Sequence, residues 1–166
     1  MKSKEKPLRS IRRLLLLFIA GLLISGITAF PIETLLGAGM SIAETFFSES
    51  EISTWIERVY EGVRETNAHY PFIAYGTDWL AFAHIVIAVA FVGPWRDPVR
   101  NIWVIEFGLI ACVSIFPLAF IAGAVRGIPF FWQCIDCSFG VIGGMLLWVV
   151  YRKIKTLESR RLTVSP

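Results

Sequence analysis

Four stretches of this chain are nearly free of charge, and they restrict its fold more than any other feature: Leu14–Phe30, Trp79–Val92, Ile102–Val125 and Phe130–Tyr151. Crossing a bilayer takes roughly 20 apolar residues, with a range of about 17–25. A helix is the natural form there, because it satisfies its own backbone polar groups where no water is at hand. The third and fourth stretches meet that length as they stand. The first meets it with Pro31 and Ile32, and the second with Tyr75–Asp78 or Gly93–Trp95. The expected fold is all-α: a single-domain integral membrane four-helix bundle with spans at about 14–32, 77–95, 101–123 and 131–151. An outer, partly amphipathic helical segment, 33–76, then lies between the first and second spans. Composition agrees, since only 17% of residues are charged where a soluble domain usually carries about a quarter.

A basic start followed by an apolar stretch also describes a secretory signal. The first stretch has 17 residues, longer than the roughly 7–15 of a usual signal core, and "ITAF" is a poor cleavage site. An uncleaved anchor is therefore expected. Orientation follows from the 16 Lys and Arg residues, which cytoplasmic segments retain. Six lie in "MKSKEKPLRSIRR", two in "PWRDPVR" and five in "YRKIKTLESRR", leaving Arg58, Arg64 and Arg126 for the other side. Both termini are thus expected in the cytoplasm. The small net charge of +3 hides this asymmetry. It reports orientation rather than nucleic-acid binding, and basic clusters beside spans suit anionic lipid head groups.

The outer segment is acidic, with Glu33, Glu44, Glu49, Glu51, Glu57, Glu61 and Glu65. Ile52, Trp55, Ile56, Val59, Tyr60 and Val63 recur at the spacing of one helical face, which predicts an amphipathic helix over "SEISTWIERVYEGVRE". Ser50 and Ser53 suit its N-cap and Asn67 its far end. Such a helix covers the bundle mouth, rests on the membrane or meets a partner. Pro71 and Gly76 read as breaks, with Thr77 or Asp78 capping the next helix. Trp79, Trp95, Trp103, Trp132, Trp148 and Tyr151 stand near span ends, as an interfacial aromatic belt does.

Ionisable groups in a span cost about 2.5 kcal/mol or more at a helix centre, so each is a candidate for function. His84 falls mid-span, Glu106 about one turn in from the cytoplasmic side, Asp136 about one turn in from outside, and Asp78 at an outer helix end. Each also has a structural reading. Asp78 can cap, Glu106 can pair with Arg96 or Arg100, Asp136 with Arg126, and a neighbouring carbonyl can satisfy His84. Gln133, Asp136, Gly140, Gly143 and Gly144 fall along one stripe, and Gly140 and Gly144 form a G-x-x-x-G pair that admits a close helix. That stripe is expected to turn Asp136 inward. Pro117 withdraws an amide from the third span and is expected to kink it. Kink and glycines together leave room for a cavity walled by Trp79, His84, Cys112, Phe116, Asp136 and Gly140.

Cys134 and Cys137 form C-x-x-C. A closed zinc site wants four ligands and the motif supplies two, so no metal is expected. Packing and thiol redox chemistry both remain open; on a regular helix the two sulfurs pair only with local distortion. Cys112 reads as packing. The "CIDC" motif and the four-span plan resemble the vitamin K epoxide reductase-like membrane oxidoreductases, which have such a pair at the outer end of the last helix beside a quinone pocket. Only Cys134 and Cys137 carry over, because residues 31–77 hold no cysteine to match that family's shuttle pair. "YGTDWLAFAHIVIA" and "RDPVRNIW" also resemble a group of small bacterial four-helix membrane proteins, which implies the bacterial cytoplasmic membrane but no activity.

Three functions follow as expectations. The first is a buried polar pocket, open to the outside, for a small apolar or amphipathic ligand; His84, Asp136, Glu106, Asp78, Trp79 and Gln133 would line it. The second is quinone-linked thiol redox at Cys134 and Cys137, with the quinone as its cofactor. The third is a scaffold or small subunit of a larger membrane assembly, with a membrane-protein partner or a second copy. No nucleotide-binding loop, dinucleotide fingerprint or Ser–His–Asp order is present.

Overall fold

A computed structural model describes residues 2–47 and 50–162. Glu49 and the side chains of Glu44, Lys2, Lys4, Lys6, Arg160 and Arg161 lie outside the described residues. Every described element is a helix: α1 (Lys2–Ala29), α2 (Ile32–Phe47), α3 (Glu51–His69), α4 (Pro71–Ala90), α5 (Val92–Arg96), α6 (Ile102–Arg126) and α7 (Phe130–Leu162). Among the described residues, four segments are long and apolar enough to cross a membrane: Pro7–Ala29, Pro71–Arg96, Ile102–Arg126 and Phe130–Ser159. At 1.5 Å rise per residue they run about 35–45 Å, against a hydrocarbon thickness of about 30 Å. The chain divides into two compact units, Met1–Gly21 with Ala88–Pro166, and Leu22–Ile87.

The first unit is organised by the antiparallel hairpin of α6 and α7. Its turn is built by "RGIP". Gly127 adopts φ 66°, a left-handed conformation that side chains with a Cβ resist. Its amide donates to the Ala124 carbonyl at 3.3 Å, and Ile128 N donates to the Gly123 carbonyl at 2.9 Å. These two bonds satisfy carbonyls the helix end would otherwise orphan. Pro129 then starts the return, and its carbonyl accepts from Trp132 and Gln133.

Down the hairpin the two backbones meet where side chains are missing. A Cβ on Gly140 would lie 2.7 Å from the Cys112 carbonyl oxygen, one on Gly123 2.6 Å from Gln133 Cδ, and one on Gly108 2.6 Å from Leu147 Cδ1. Gly143 is closed by Phe18 of α1 and by Cys112 Sγ, both 3.2 Å from a Cβ built there. The inward line of α7 is therefore Gln133, Cys137, Gly140, Gly144, Leu147, Val150 and Ile154, at i+4 and i+3 steps. Ile11, Leu15, Phe91, Ile105, Leu147, Val150 and Ile154 are each 0% exposed and form the apolar core. Helix α6 runs on through Pro117 to Arg126.

The link between α5 and α6 is tied by polar bonds. Arg12 donates from Nε to the Trp95 carbonyl at 3.2 Å and from Nη2 to the Arg96 carbonyl at 3.4 Å, with its guanidinium 5.8 Å from the Trp95 ring. Asn101 Nδ2 donates to the carbonyls of Gly93 and Asp97, and Asp97 Oδ1 accepts from Arg100 N.

In the second unit, α2 and α3 pack antiparallel. The Tyr60 ring lies 3.3 Å from where a Gly37 Cβ would sit, and Asn67 Nδ2 donates to Glu33 Oε2 at 2.7 Å. The six apolar residues expected on one face of α3 are all half-buried, while its acids are exposed. Ser50 caps α3 as expected, its hydroxyl accepting from Ser53 N at 3.2 Å. Asn67 lies near the far end of α3, which runs on to His69, and its amide is used across the pair. Pro71 breaks structure as expected, the chain leaving the helix at Tyr70 just before it, whereas Gly76 does not, because α4 runs through it. Pro71 opens α4, where a missing amide costs nothing in the first turn, so Thr77 and Asp78 lie within the helix rather than at its cap. Gly26 of α1 is closed against α4, with the Ala81 carbonyl oxygen 2.8 Å from a Cβ built on it.

Replacing Gly140 by Leu drives a side chain into the α6 backbone, where neither helix can yield cheaply. We expect a loss of about 1–3 kcal/mol or failure to fold. Gly39→Ala meets open space in α2 and should be neutral or stabilising by up to about 1 kcal/mol. Thermal unfolding of the two variants in detergent checks this; equal behaviour would remove the seam from the account.

Candidate functional site

The residues singled out from sequence divide between the two units. In the second, all three lie on α4. His84 packs its Cβ 3.1 Å from where a Gly26 Cβ would sit. Its Nδ1 donates to the Leu80 carbonyl at 2.8 Å, one turn back on the same helix. A neutral ring in that tautomer keeps Nε2 as an acceptor. The self-bond satisfies one ring nitrogen at no cost to the helix, the structural reading anticipated for a histidine in a span.

Trp79 is 57% exposed and belongs to an aromatic ladder, edge-on to Tyr75 at 5.9 Å and to Phe82 at 6.0 Å. Its ring therefore faces outward rather than lining a cavity. Asp78, half-buried, lies one residue before it on α4.

In the first unit, Gln133 is 6% exposed. Its Nε2 donates to the Ile128 carbonyl at 2.7 Å, and its stem fills the space over Gly123. Gln133 thus seals the turn of the hairpin. Because it takes the inward position at that level, the line continues to Cys137, four residues on, and not to Asp136. One residue is a 100° rotation, so Asp136 is carried off the seam. It is exposed, contrary to the inward orientation expected from the glycine stripe. Among the described residues Asp136 has no ion pair with Arg126, and Glu106 none with Arg96 or Arg100. Glu106 is exposed on the first turn of α6, close enough to Lys155 to act on it electrostatically.

The register of the hairpin separates these two acids. Gly108 faces Leu147 and Gly123 faces Gln133, so Glu106 stands level with residues near 149. Asp136 is about 13 residues from that level, or about 20 Å along the helix. The structure does not bring Glu106 and Asp136 to one site. The glycines expected to leave space are filled, Gly140 by Cys112 and Ile115 and Gly143 by Phe18.

The thiols follow the same geometry. Cys137 is 6% exposed on the seam and Cys112 is 8% exposed opposite the glycines, both acting as small packing residues. Cys134 is exposed. Helix α7 is continuous through both positions of the C-x-x-C motif, and both thiols are free. No group of three or more His, Cys, Asp or Glu side chains suited to a metal ion occurs among the described residues.

The chain matches no protein-family model, no curated protein and no solved structure.

Exposure, and not the motif, should govern thiol chemistry. In intact membranes a permeant maleimide should label Cys134, while Cys112 and Cys137 react only after denaturation. Peptide mass spectrometry reads the three sites separately; protection of Cys134 together with Cys137, by a linkage reversed by reductant, would instead reinstate the redox pair.

Proposed function

We propose that this chain is a four-span protein of the bacterial cytoplasmic membrane that serves as a binding subunit, meeting a second membrane-embedded chain through the outer end of α7. Both termini are cytoplasmic in this reading, and α2–α3 is the outer segment. The observation that carries it is Asp136: an exposed carboxyl, with no ion pair among the described residues, on a helix otherwise apolar enough to cross a membrane. A carboxylate facing acyl chains is costly even toward the end of a span, and an amide or basic side chain from a neighbouring helix removes that cost.

The topology is supported by how basic residues collect at one end of the first unit. Arg12 reaches the carbonyls of α5, so the start of α1 and the α5–α6 link share that end. The antiparallel hairpin puts the C-terminal part of α7 beside the start of α6. Arg152 lies 6.0 Å from the Trp148 ring and Lys155 Nζ 5.8 Å from the Tyr151 ring. Cations over aromatic rings at a span end match an interface, where amphipathic rings sit at head-group level and long basic side chains reach water.

A small amphipathic ligand would use the same carboxyl. That reading now rests on Asp136 without Glu106, about 20 Å away along the helix. Quinone-linked thiol redox needs the sulfurs of Cys134 and Cys137 brought together by bending α7.

A photoreactive amino acid at Phe139, one turn from Asp136 and exposed, tests the proposal in living cells. We expect a discrete protein adduct, either with another chain or with a second copy, that falls at least about tenfold in Asp136→Leu while the variant keeps its thermal stability. Adducts with lipid or small molecules alone would overturn it.

A further inference from the structure

We infer that α2 is a membrane-seated helix, lying in the interface of the outer leaflet with Leu35, Ile42 and Phe46 turned into lipid. The inference rests on the four-span reading above and is independent of Asp136. By its spacing α3 is the candidate for that seat, but packing changes the choice. The apolar face of α3 is half-buried, its Tyr60 lying over Gly37 and its Asn67 bonded to Glu33 of α2. What stays open on α3 is a row of acids, Glu57, Glu61 and Glu65. What stays open on α2 is apolar. Leu35, Ile42 and Phe46 are 44%, 59% and 74% exposed, and Ala38 between them is exposed as well. Their spacing places them on one row of the helix.

That row points away from α3. At about 100° per residue, Glu33 and Gly37 stand roughly 160–200° round the helix from Leu35, and these are the positions that meet Asn67 and Tyr60. Position 44 is two residues from both Ile42 and Phe46, so it too falls across the helix from the row. On the flank, the Thr45 hydroxyl donates to the Ser41 carbonyl at 2.8 Å and is satisfied within its own helix. Lipid is the occupant that the connections supply. Helix α2 starts two residues after Ala29, where one membrane-crossing segment ends, and α3 hands over at Tyr70 to another that starts at Pro71. The Asn67–Glu33 bond holds these two tethered ends together. At the joins Phe30, Tyr70 and Phe72 are exposed, Tyr70 and Phe72 edge-on at 6.2 Å, as rings at head-group level are. The 16 residues of α2 make about 24 Å of helix, too short to cross about 30 Å of hydrocarbon. Lying flat, α2 sinks its row by roughly 5–10 Å. Helix α3, about 8–10 Å above it, then keeps its acids in water.

The test places nitroxide spin labels on the full-length protein in vesicles of dioleoyl phosphatidylethanolamine and dioleoyl phosphatidylglycerol. Cys134→Ser removes the exposed thiol, and Ile42→Cys, Glu61→Cys or Ile24→Cys is then added singly. Relaxation by oxygen, which dissolves in lipid, is compared with relaxation by a water-soluble nickel chelate. Ile24→Cys, on an exposed position of α1 within a span, is the lipid reference, and Glu61→Cys is the water reference. The oxygen-to-nickel ratio at Ile42→Cys should exceed that at Glu61→Cys by at least about fivefold and stay below that at Ile24→Cys, the order an interfacial depth gives. Should Ile42→Cys fail to fold, Phe46→Cys reads the same row. A ratio at the row equal to that at Glu61→Cys overturns the inference, because the row then stands in water. Shielding of the row from both reagents overturns it too, because a protein surface then covers it. Nickel access at Ile24→Cys brings down the four-span reading and the inference together. With Ile24→Cys in lipid and the row in water, the inference falls alone.

Discussion

The close approach of α6 and α7 depends on the missing side chains of Gly108, Gly123 and Gly140. In water two apolar helices are driven together by the surface they hide; in lipid that drive is absent, because acyl chains are as apolar as leucine. What holds them is close van der Waals contact, which each added ångström of separation erodes steeply. At Gly140 the α7 backbone approaches the Cys112 carbonyl so nearly that a methyl group would collide. The arrangement of the α6–α7 seam follows from that distance. It sets which residues of α7 face inward, puts Cys112 and Cys137 into packing, and leaves Leu147 to fill the hollow at Gly108.

The same distance decides the fate of the polar residues. A tight seam has no room for water, so any amide on it must find its partner within the protein. Gln133 does, at the Ile128 carbonyl. A carboxylate has no hydrogen to donate to a carbonyl, and Asp136 lies off the line. The turn end of α7 thereby presents its acid on the surface and its amide in the seam, the reverse of a polar pocket enclosed by the hairpin.

Much of this was legible in the sequence. The four charge-poor stretches gave the helical architecture, since no soluble pattern tolerates such lengths of apolar residues. The 3.6-residue spacing gave the half-buried face of α3, and Ser50 gave its cap. The glycines of α7 announced a close helix. Harder to read was rotation. The expected stripe through Gln133, Asp136, Gly140, Gly143 and Gly144 and the line found through Gln133, Cys137, Gly140 and Gly144 share three positions, and glycine, lacking a side chain, does not say which way the face is tilted. Only the partner settles it. Gly76 misled for a related reason: a glycine reads as a break by composition, yet α4 runs straight through it.

His84 shows where local chemistry outweighs placement. A histidine in a span must neutralise its ring donors, and a helix offers a carbonyl one turn back for each residue. By using Leu80, His84 meets that need without any partner from elsewhere. Asp136 has no such recourse, because every helical carbonyl is an acceptor and a carboxylate is an acceptor too. Asymmetry between donor and acceptor is therefore what distinguishes the two residues. A donor buried in a helical membrane protein can be satisfied by its own helix. An ionised acceptor within the helix cannot be, and must look to an amide or a cation outside it. Asp136, and not the imidazole, is thus the residue that its own helix leaves without a donor.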